Sequence, residues 1–265
     1  MSGAIIRALR TACAVTKADH VHAIRLSGPG ALDLLDTVTT SRLFARENQM
    51  LQTLMLNADG TVFADAFVCL DEDSWILLAE GPSLAALIDR LSSPSEVEGP
   101  RARGFPTRGP STALGQLVTL TDLRETHTLW SIDGPYAWEL TSALLGPEVL
   151  GAPYLSFMHL REATCFRAGK TGEYGYCLLV PLAGAPALWD RLWELGRPLD
   201  LVEGSLAALD QCAIENWHFT IRALDPALKL LPAELQLQWR VDATKAFAGA
   251  EAIRSRGAAR RLCCF

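Results

Sequence analysis

Along this chain, short stretches in which apolar residues recur every second position alternate with stretches of helical spacing. His22, Ile24 and Leu26 alternate with Ala23, Arg25 and Ser27, the pattern of a strand with one buried face. Gly28–Pro29 turns that strand, and Ala31, Leu32, Leu34, Leu35 and Val38 then form one stripe of a helix. Residues 51–56 read as a strand, Asn57–Ala58–Asp59–Gly60 as a hairpin turn, and 61–70 as the return strand. A strand over 75–79 precedes a helix over 83–91, with Pro82 set just before it. Further strands are predicted at 117–120, 128–132, 163–168 and 174–180, and helices at 136–145, 186–195 and 206–214. The tail carries a weak strand signal at 235–241 and a helix-like 248–254, and residues 1–15 read as a short amphipathic helix. The Asn-x-Asp-Gly hairpin implies antiparallel pairing, so the expected class is α+β rather than a doubly wound sheet.

Two segments are alike. Ile24-Arg-Leu-Ser-Gly-Pro-Gly-Ala-Leu32 is matched by Leu129-Trp-Ser-Ile-Asp-Gly-Pro-Tyr-Ala137, and Ala86-Leu-Ile-Asp-Arg-Leu91 by Ala187-Leu-Trp-Asp-Arg-Leu192. The order and near-constant offset predict two pseudo-repeated lobes, with antiparallel sheets around a central cleft. The boundaries expected are a first lobe at 1–92, a Pro/Gly-rich linker at 93–112, a second lobe at 113–245 and a tail at 246–265.

Composition narrows the function classes. Apolar residues make up 49% and charged ones 20%, which excludes wholesale disorder. A net charge of −6 without any basic run argues against nucleic acid and anionic membranes as partners. No apolar stretch reaches the roughly 20 residues of a membrane span, and Arg7 and Arg10 interrupt the opening segment. Seven scattered cysteines without C-x-x-C or zinc spacing point to the cytoplasm and to no metal site. His20 and His22 share strand spacing but lack a third ligand.

Asp65 is the first candidate for chemistry. Aspartate is depleted in strands, and the two-residue period puts Asp65 with Phe63, Phe67 and Cys69. Its burial would need a partner, solvent or a ligand, and desolvation would raise its pKa. The second candidate is Arg167-Ala-Gly-Lys-Thr-Gly-Glu-Tyr-Gly-Tyr176, whose three glycines let a ligand approach the backbone beside Glu173. A shift of about 102 residues carries Asp65 close to Arg167, so the lobes are expected to present opposite charges to one cleft. Asp210, Glu215, Trp217 and His218 form a third cluster, with His218 open to either an acid–base or a helix-end role.

These segments resemble the aminomethyltransferase family, the T-protein of the glycine cleavage system and its relatives. The resemblance runs through residues 24–32, Thr53-Leu-Met-Leu-Asn-Ala-Asp-Gly60, Ile132-Asp-Gly-Pro-Tyr-Ala137, Thr171-Gly-Glu-Tyr-Gly-Tyr176, Pro232-Ala-Glu-Leu235 and Phe247-Ala-Gly-Ala-Glu-Ala-Ile253. It implies lobes around a channel for tetrahydrofolate and transfer of a one-carbon unit on a small-molecule substrate, in a role specialised away from glycine cleavage. It implies that Asp65 holds the cofactor or relays a proton and that Glu173 and Glu215 contact the folate; His218 is a second catalytic candidate, and Met55, Arg167 and Glu80 are further cofactor-binding candidates. The chain departs from the family pattern at Gln52, Ala64, Glu80, Lys170 and Ala213, where an arginine is expected two positions before Glu215. It also ends where the family continues into a C-terminal barrel, which makes a homodimer plausible. A folate-independent enzyme using the same cleft, and a non-enzymatic folate-binding protein, are the alternatives.

Overall fold

The computed structural model describes residues 2–44, 46–93, 117–218 and 220–261. The first elements are α1 (Ser2–Thr11), β1 (Ala14–Lys17), β2 (His22–Ser27), α2 (Ala31–Val38), β3 (Met50–Leu56), β4 (Val62–Asp71), β5 (Ser74–Glu80) and α3 (Leu84–Ser92). There follow β6 (Thr119–Asp122), β7 (His127–Asp133), α4 (Ala137–Leu145), β8 (Ser156–His159), β9 (Thr164–Arg167) and β10 (Gly175–Pro181). The remainder is α5 (Ala185–Gly196), β11 (Val202–Glu203), α6 (Leu206–Glu215) and α7 (Ala250–Ser255). The expected linker falls, but for its first residue, outside the described residues.

The fold is α+β and antiparallel in character, as expected, but it does not divide into sequential lobes. One compact unit is Met1–Val21 with Leu123–Ala223, and the other is His22–Asp122 with Leu224–Phe265. Sheet order gives the reason. One sheet runs β3-β4-β5-β2-β6 and the other β8-β9-β10-β7-β1, with β11 added beyond β1. Strand for strand the two are the same, except that each sheet takes its fifth strand from the segment leading into the other repeat. β6 pairs with β2 (Leu26 opposite Leu120), and β1 pairs with β7 (Val15 opposite Ile132). Residues 1–21 therefore belong with the second repeat, and 117–122 with the first.

Each repeat also closes its Gly-Pro turn in the same way. Gly28 and Gly134 take φ of +109° and +129° between strand and helix, a region costly for any residue with a Cβ. A Cβ on either would meet a backbone carbonyl, Leu117 O at 2.3 Å or Ala12 O at 2.5 Å. The echoed helices bury equivalent leucines: Leu87 and Leu91 in one core, Leu188 and Leu192 in the other. Ser83 and Ser205 cap α3 and α6 by accepting from the N–H three residues on.

In the unit built on the six-stranded sheet, Val15, Trp130, Ile132, Tyr176 and Leu178 pack against α4 and α5. On the opposite side Leu9 of α1, Ala14 of β1, and Ala208 and Cys212 of α6 form a smaller cluster. In the other unit Ile24, Leu26, Met55, Ala64, Ala66, Val68 and Leu77 pack against α2 and α3.

Three local expectations need correction. Residues 235–241 form no strand: Pro232–Leu235 and Gln238–Arg240 are tight helical turns, and Gln236 between them is left-handed at φ 59°. Glu234 folds back to accept from Leu231 N at 2.9 Å, which locks the first turn. Ala14 and Val15 belong to a strand rather than the opening helix. His20 precedes β2, and His22 donates from its ring to Pro82 O at 2.9 Å, so the pair shares no strand face.

Candidate functional site

The glycine-containing loop between β9 and β10 is built around a close backbone crossing. A Cβ on Gly175 would sit 2.6 Å from Gly169 Cα, so the loop's neck excludes side chains at both positions. Thr171 is buried, and its hydroxyl accepts from Glu173 N at 3.4 Å. Gly172, at φ +84°, turns beside Asn216 at the end of α6. Glu173 is thereby presented with 29% of its side chain exposed.

Arg10 of α1 reaches this loop. Its Nη1 donates to Thr171 O at 2.6 Å and to Glu173 Oε1 at 3.3 Å. Its Nη2 donates to Glu215 Oε2 at 2.8 Å and to Cys212 O at 3.4 Å. One guanidinium thus joins α1, the loop and α6, and brings together two residues that the sequence singled out separately. Hydrogen bonding to Arg10 holds the Glu215 carboxyl below its usual range, and the same bond raises Arg10 further above neutrality. Cys212 lies among these charges; burial pushes its thiol up, with Arg10 opposing and Glu215, Asp133 and Glu173 reinforcing.

Arg167 stands behind the loop. Its guanidinium carbon is 4.8 Å from the Tyr174 ring centre and 4.7 Å from that of Tyr176, and Nη1 donates to Gly175 O at 3.1 Å. Tyr176 is buried and Tyr174 exposed, so the cation backs an open aromatic face. The expected correspondence between Arg167 and Asp65 does not hold. The register joins Ile24 to Leu77 and Leu77 to Val68 in one sheet, and Trp130 to Leu178 and Leu178 to Cys165 in the other. Arg167 therefore matches Leu70.

Asp133 is a carboxylate that the sequence reading passed over. It ends β7, paired in register with Ala14 and Gly175, and is 2% exposed. The Ser131 hydroxyl donates to its Oδ2, while a Cβ on Gly175 would meet its Oδ1 at 2.9 Å. Burial pushes the carboxyl up to about 7, against the pull of the Ser131 hydrogen bond.

In the other unit Asp65 lies in β4 opposite Leu54 and Glu80. Its compensating partner is Arg240, whose Nη1 donates to Asp65 Oδ1 at 2.8 Å, both side chains being 2% exposed. The expected face with Phe63 is corrected. The register slips between Met55 and Leu56, which pair with Ala64 and Val62, and Phe63 packs with the Ala64 and Ala66 core instead. Arg240 is tied down in turn, since Thr40 and Ser41 hydroxyls donate to its carbonyl at 2.8 and 2.9 Å. Lys245 nearby in sequence donates to Thr39 O and Ser41 O, both at 2.8 Å, and burial lowers its pKa.

Other expected site residues go elsewhere. Met55 is fully buried in the apolar core, on the face away from Asp65, because neighbouring strand residues point oppositely. Asp210 accepts from Thr220 at 2.9 Å and Arg222 at 2.6 Å, so it pins the chain after α6 and forms no cluster with Glu215. Trp217, left-handed at φ 56°, ends the helix, and His218 N returns to Ala213 O at 2.8 Å. Among the described residues, no group of three His, Cys, Asp or Glu could hold a metal ion. Among them, too, no helix is long and apolar enough to cross a membrane.

Arg10 gave no local signal, since its partners lie more than 160 residues away. Asp133 did give one: it is an aspartate in a strand, the feature that drew attention to Asp65.

Comparison with known proteins gives the family. The family described as the GCVT N-terminal domain matches residues 3–245. The aminomethyltransferase of Halothermothrix orenii is 24% identical, across 97% of this chain and 69% of its own. That of Thermotoga sp. (strain RQ2) is 24% identical across 94% and 65%, and that of Parafrankia sp. 28% across 96% and 67%. The chain thus spans about two thirds of the length of these relatives. The crystal structure of glycine cleavage system aminomethyltransferase T from Bartonella henselae shares the fold, with a TM-score of 0.72 at 21% identity over 96% of this chain and 65% of that one. With the match extending over most of its length, the chain belongs to the GCVT N-terminal domain family.

Proposed function

We propose that this chain binds tetrahydrofolate and moves a one-carbon unit to or from a small-molecule substrate. The observation that carries the reading is Glu173: a part-exposed carboxylate on a glycine-necked loop, held by Arg10 and flanked by the open ring of Tyr174. Tetrahydrofolate presents a planar pyrimidine ring, fused to a puckered reduced ring, with N–H donors along one edge. A carboxylate acceptor beside an aromatic face backed by Arg167 suits that chemistry.

In this reading Glu173 accepts hydrogen bonds from the cofactor's edge, and Tyr174 with Arg167 offers the plane against which it rests. When bound, the cofactor supplies the nitrogen that carries the one-carbon unit. Asp65 and His218 are the acid–base candidates. Within its own unit Arg240 leaves the Asp65 carboxylate little rotational freedom. Glu215 is engaged by Arg10 and Gln211, and Met55 is enclosed in the core, so neither is assigned to the cofactor.

Calorimetric titration with 5-formyltetrahydrofolate tests the proposal. Saturable micromolar binding is expected, weakened about tenfold or more in Glu173→Gln through loss of a charged acceptor. Absence of binding to the wild-type protein would turn attention to a folate-independent reaction.

A further inference from the structure

The two carboxylates on Arg10 are held unequally, and the inequality assigns them different work. Glu215 takes Nη2 at 2.8 Å, whereas Glu173 shares Nη1 at 3.3 Å with a shorter bond to Thr171 O. Arg10 also takes up Cys212 O near the end of α6, where a cation is favoured by the exposed carbonyls. Glu215 and the two carbonyls therefore fix the guanidinium, and Glu173 rests on it by its weaker contact.

We propose that Arg10 is a positioning residue for ligand binding at Glu173, with Glu215 as its anchor. The guanidinium keeps the Glu173 carboxylate turned to one side, and its bond to Thr171 O holds the loop that bears it. A ligand with N–H donors meets an acceptor already oriented, so less side-chain freedom is lost on binding. Lysine at position 10 could supply the charge, but not the two-nitrogen reach across the loop and α6.

This inference rests on the tetrahydrofolate reading for its ligand, and the test separates the two. Affinity for 5-formyltetrahydrofolate is measured in wild type, Arg10→Met, Arg10→Lys, Glu173→Gln and the double variant Arg10→Met/Glu173→Gln. Backbone hydrogen exchange over residues 169–175 is followed without ligand in the same proteins. Arg10→Met is expected to weaken binding about tenfold, with partial recovery in Arg10→Lys. It should cost little more once Glu173→Gln is present, an interdependence that general loss of stability would not produce. Unchanged affinity in Arg10→Met, or effects that multiply in the double variant, would overturn the positioning role. If the wild type does not bind the folate, the functional reading falls, and exchange decides the remainder. Faster exchange of the loop in Arg10→Met than in Arg10→Lys would uphold the clasp for another N–H-bearing ligand; equal exchange would overturn it.

Discussion

Asp133 and Asp65 are both strand aspartates with almost no exposure, yet they meet burial in opposite ways. Asp65 has a guanidinium at 2.8 Å, so its charge is answered by a charge. Asp133 has a hydroxyl and glycine backbone around it, so desolvation wins and its carboxyl is raised to about 7. Between pH 4 and 7 the unfolded carboxylate is ionised while the folded one keeps its proton. Stability from this group is therefore present at pH 4, falls as pH rises, and is gone above 7. Urea midpoints should show wild type losing roughly 3–4 kcal/mol across that range relative to Asp133→Asn, because each tenfold change in proton affinity is worth about 1.4 kcal/mol. Parallel pH profiles would refute the assignment. For the buried pair, Asp65→Asn or Arg240→Met alone should cost about 3–5 kcal/mol, and the double variant less than their sum. Losses under about 1 kcal/mol would mean that the pair is not what holds Asp65. Any fall in turnover in Asp65→Asn must be read against that change in stability.

Elements formed largely where local chemistry dictated. The strand and helix around each Gly-Pro turn, the hairpin at Asn57–Gly60 and the serine-capped helices were legible because their signals lie within a few residues. The segment at 235–241 departs from its strand pattern because apolar spacing says nothing of Gln236 turning left-handed or of Glu234 folding back on Leu231. The bulge that moves Phe63 to the core face was equally invisible, since a one-residue slip leaves no mark on composition. Gly134→Ala tests the turn itself. Its φ of +129° and the carbonyl of Ala12 predict a loss of at least about 2 kcal/mol in urea unfolding. Gly151→Ala, with no atom within 4 Å of the added Cβ, should stay within about 0.5 kcal/mol. Equal effects would show that the turn is not constrained.

At the scale of the molecule, the exchange of leading strands makes each unit depend on a distant segment. A fragment of residues 123–223 lacks α1 and β1, leaving one side of β7 short of its partner and Cys212 without Leu9. Such a fragment should remain unfolded by circular dichroism, and a peptide of residues 1–21 should restore structure on titration. Folding of the fragment alone would refute the dependence. The sequence by itself determined what is short-range or periodic: the α+β class, the repeated strand-turn-helix unit, the glycine loop bearing Glu173, and the oddity of an aspartate in a strand. Only the tertiary structure decided which strand completes which sheet, that Arg10 serves Glu173 and Glu215, and that Arg240 answers Asp65. Those pairings join residues 163, 205 and 175 positions apart. No pattern along the chain encodes them. They follow from where packed sheets and helices carry their side chains, and from the cost of leaving a buried charge without a partner.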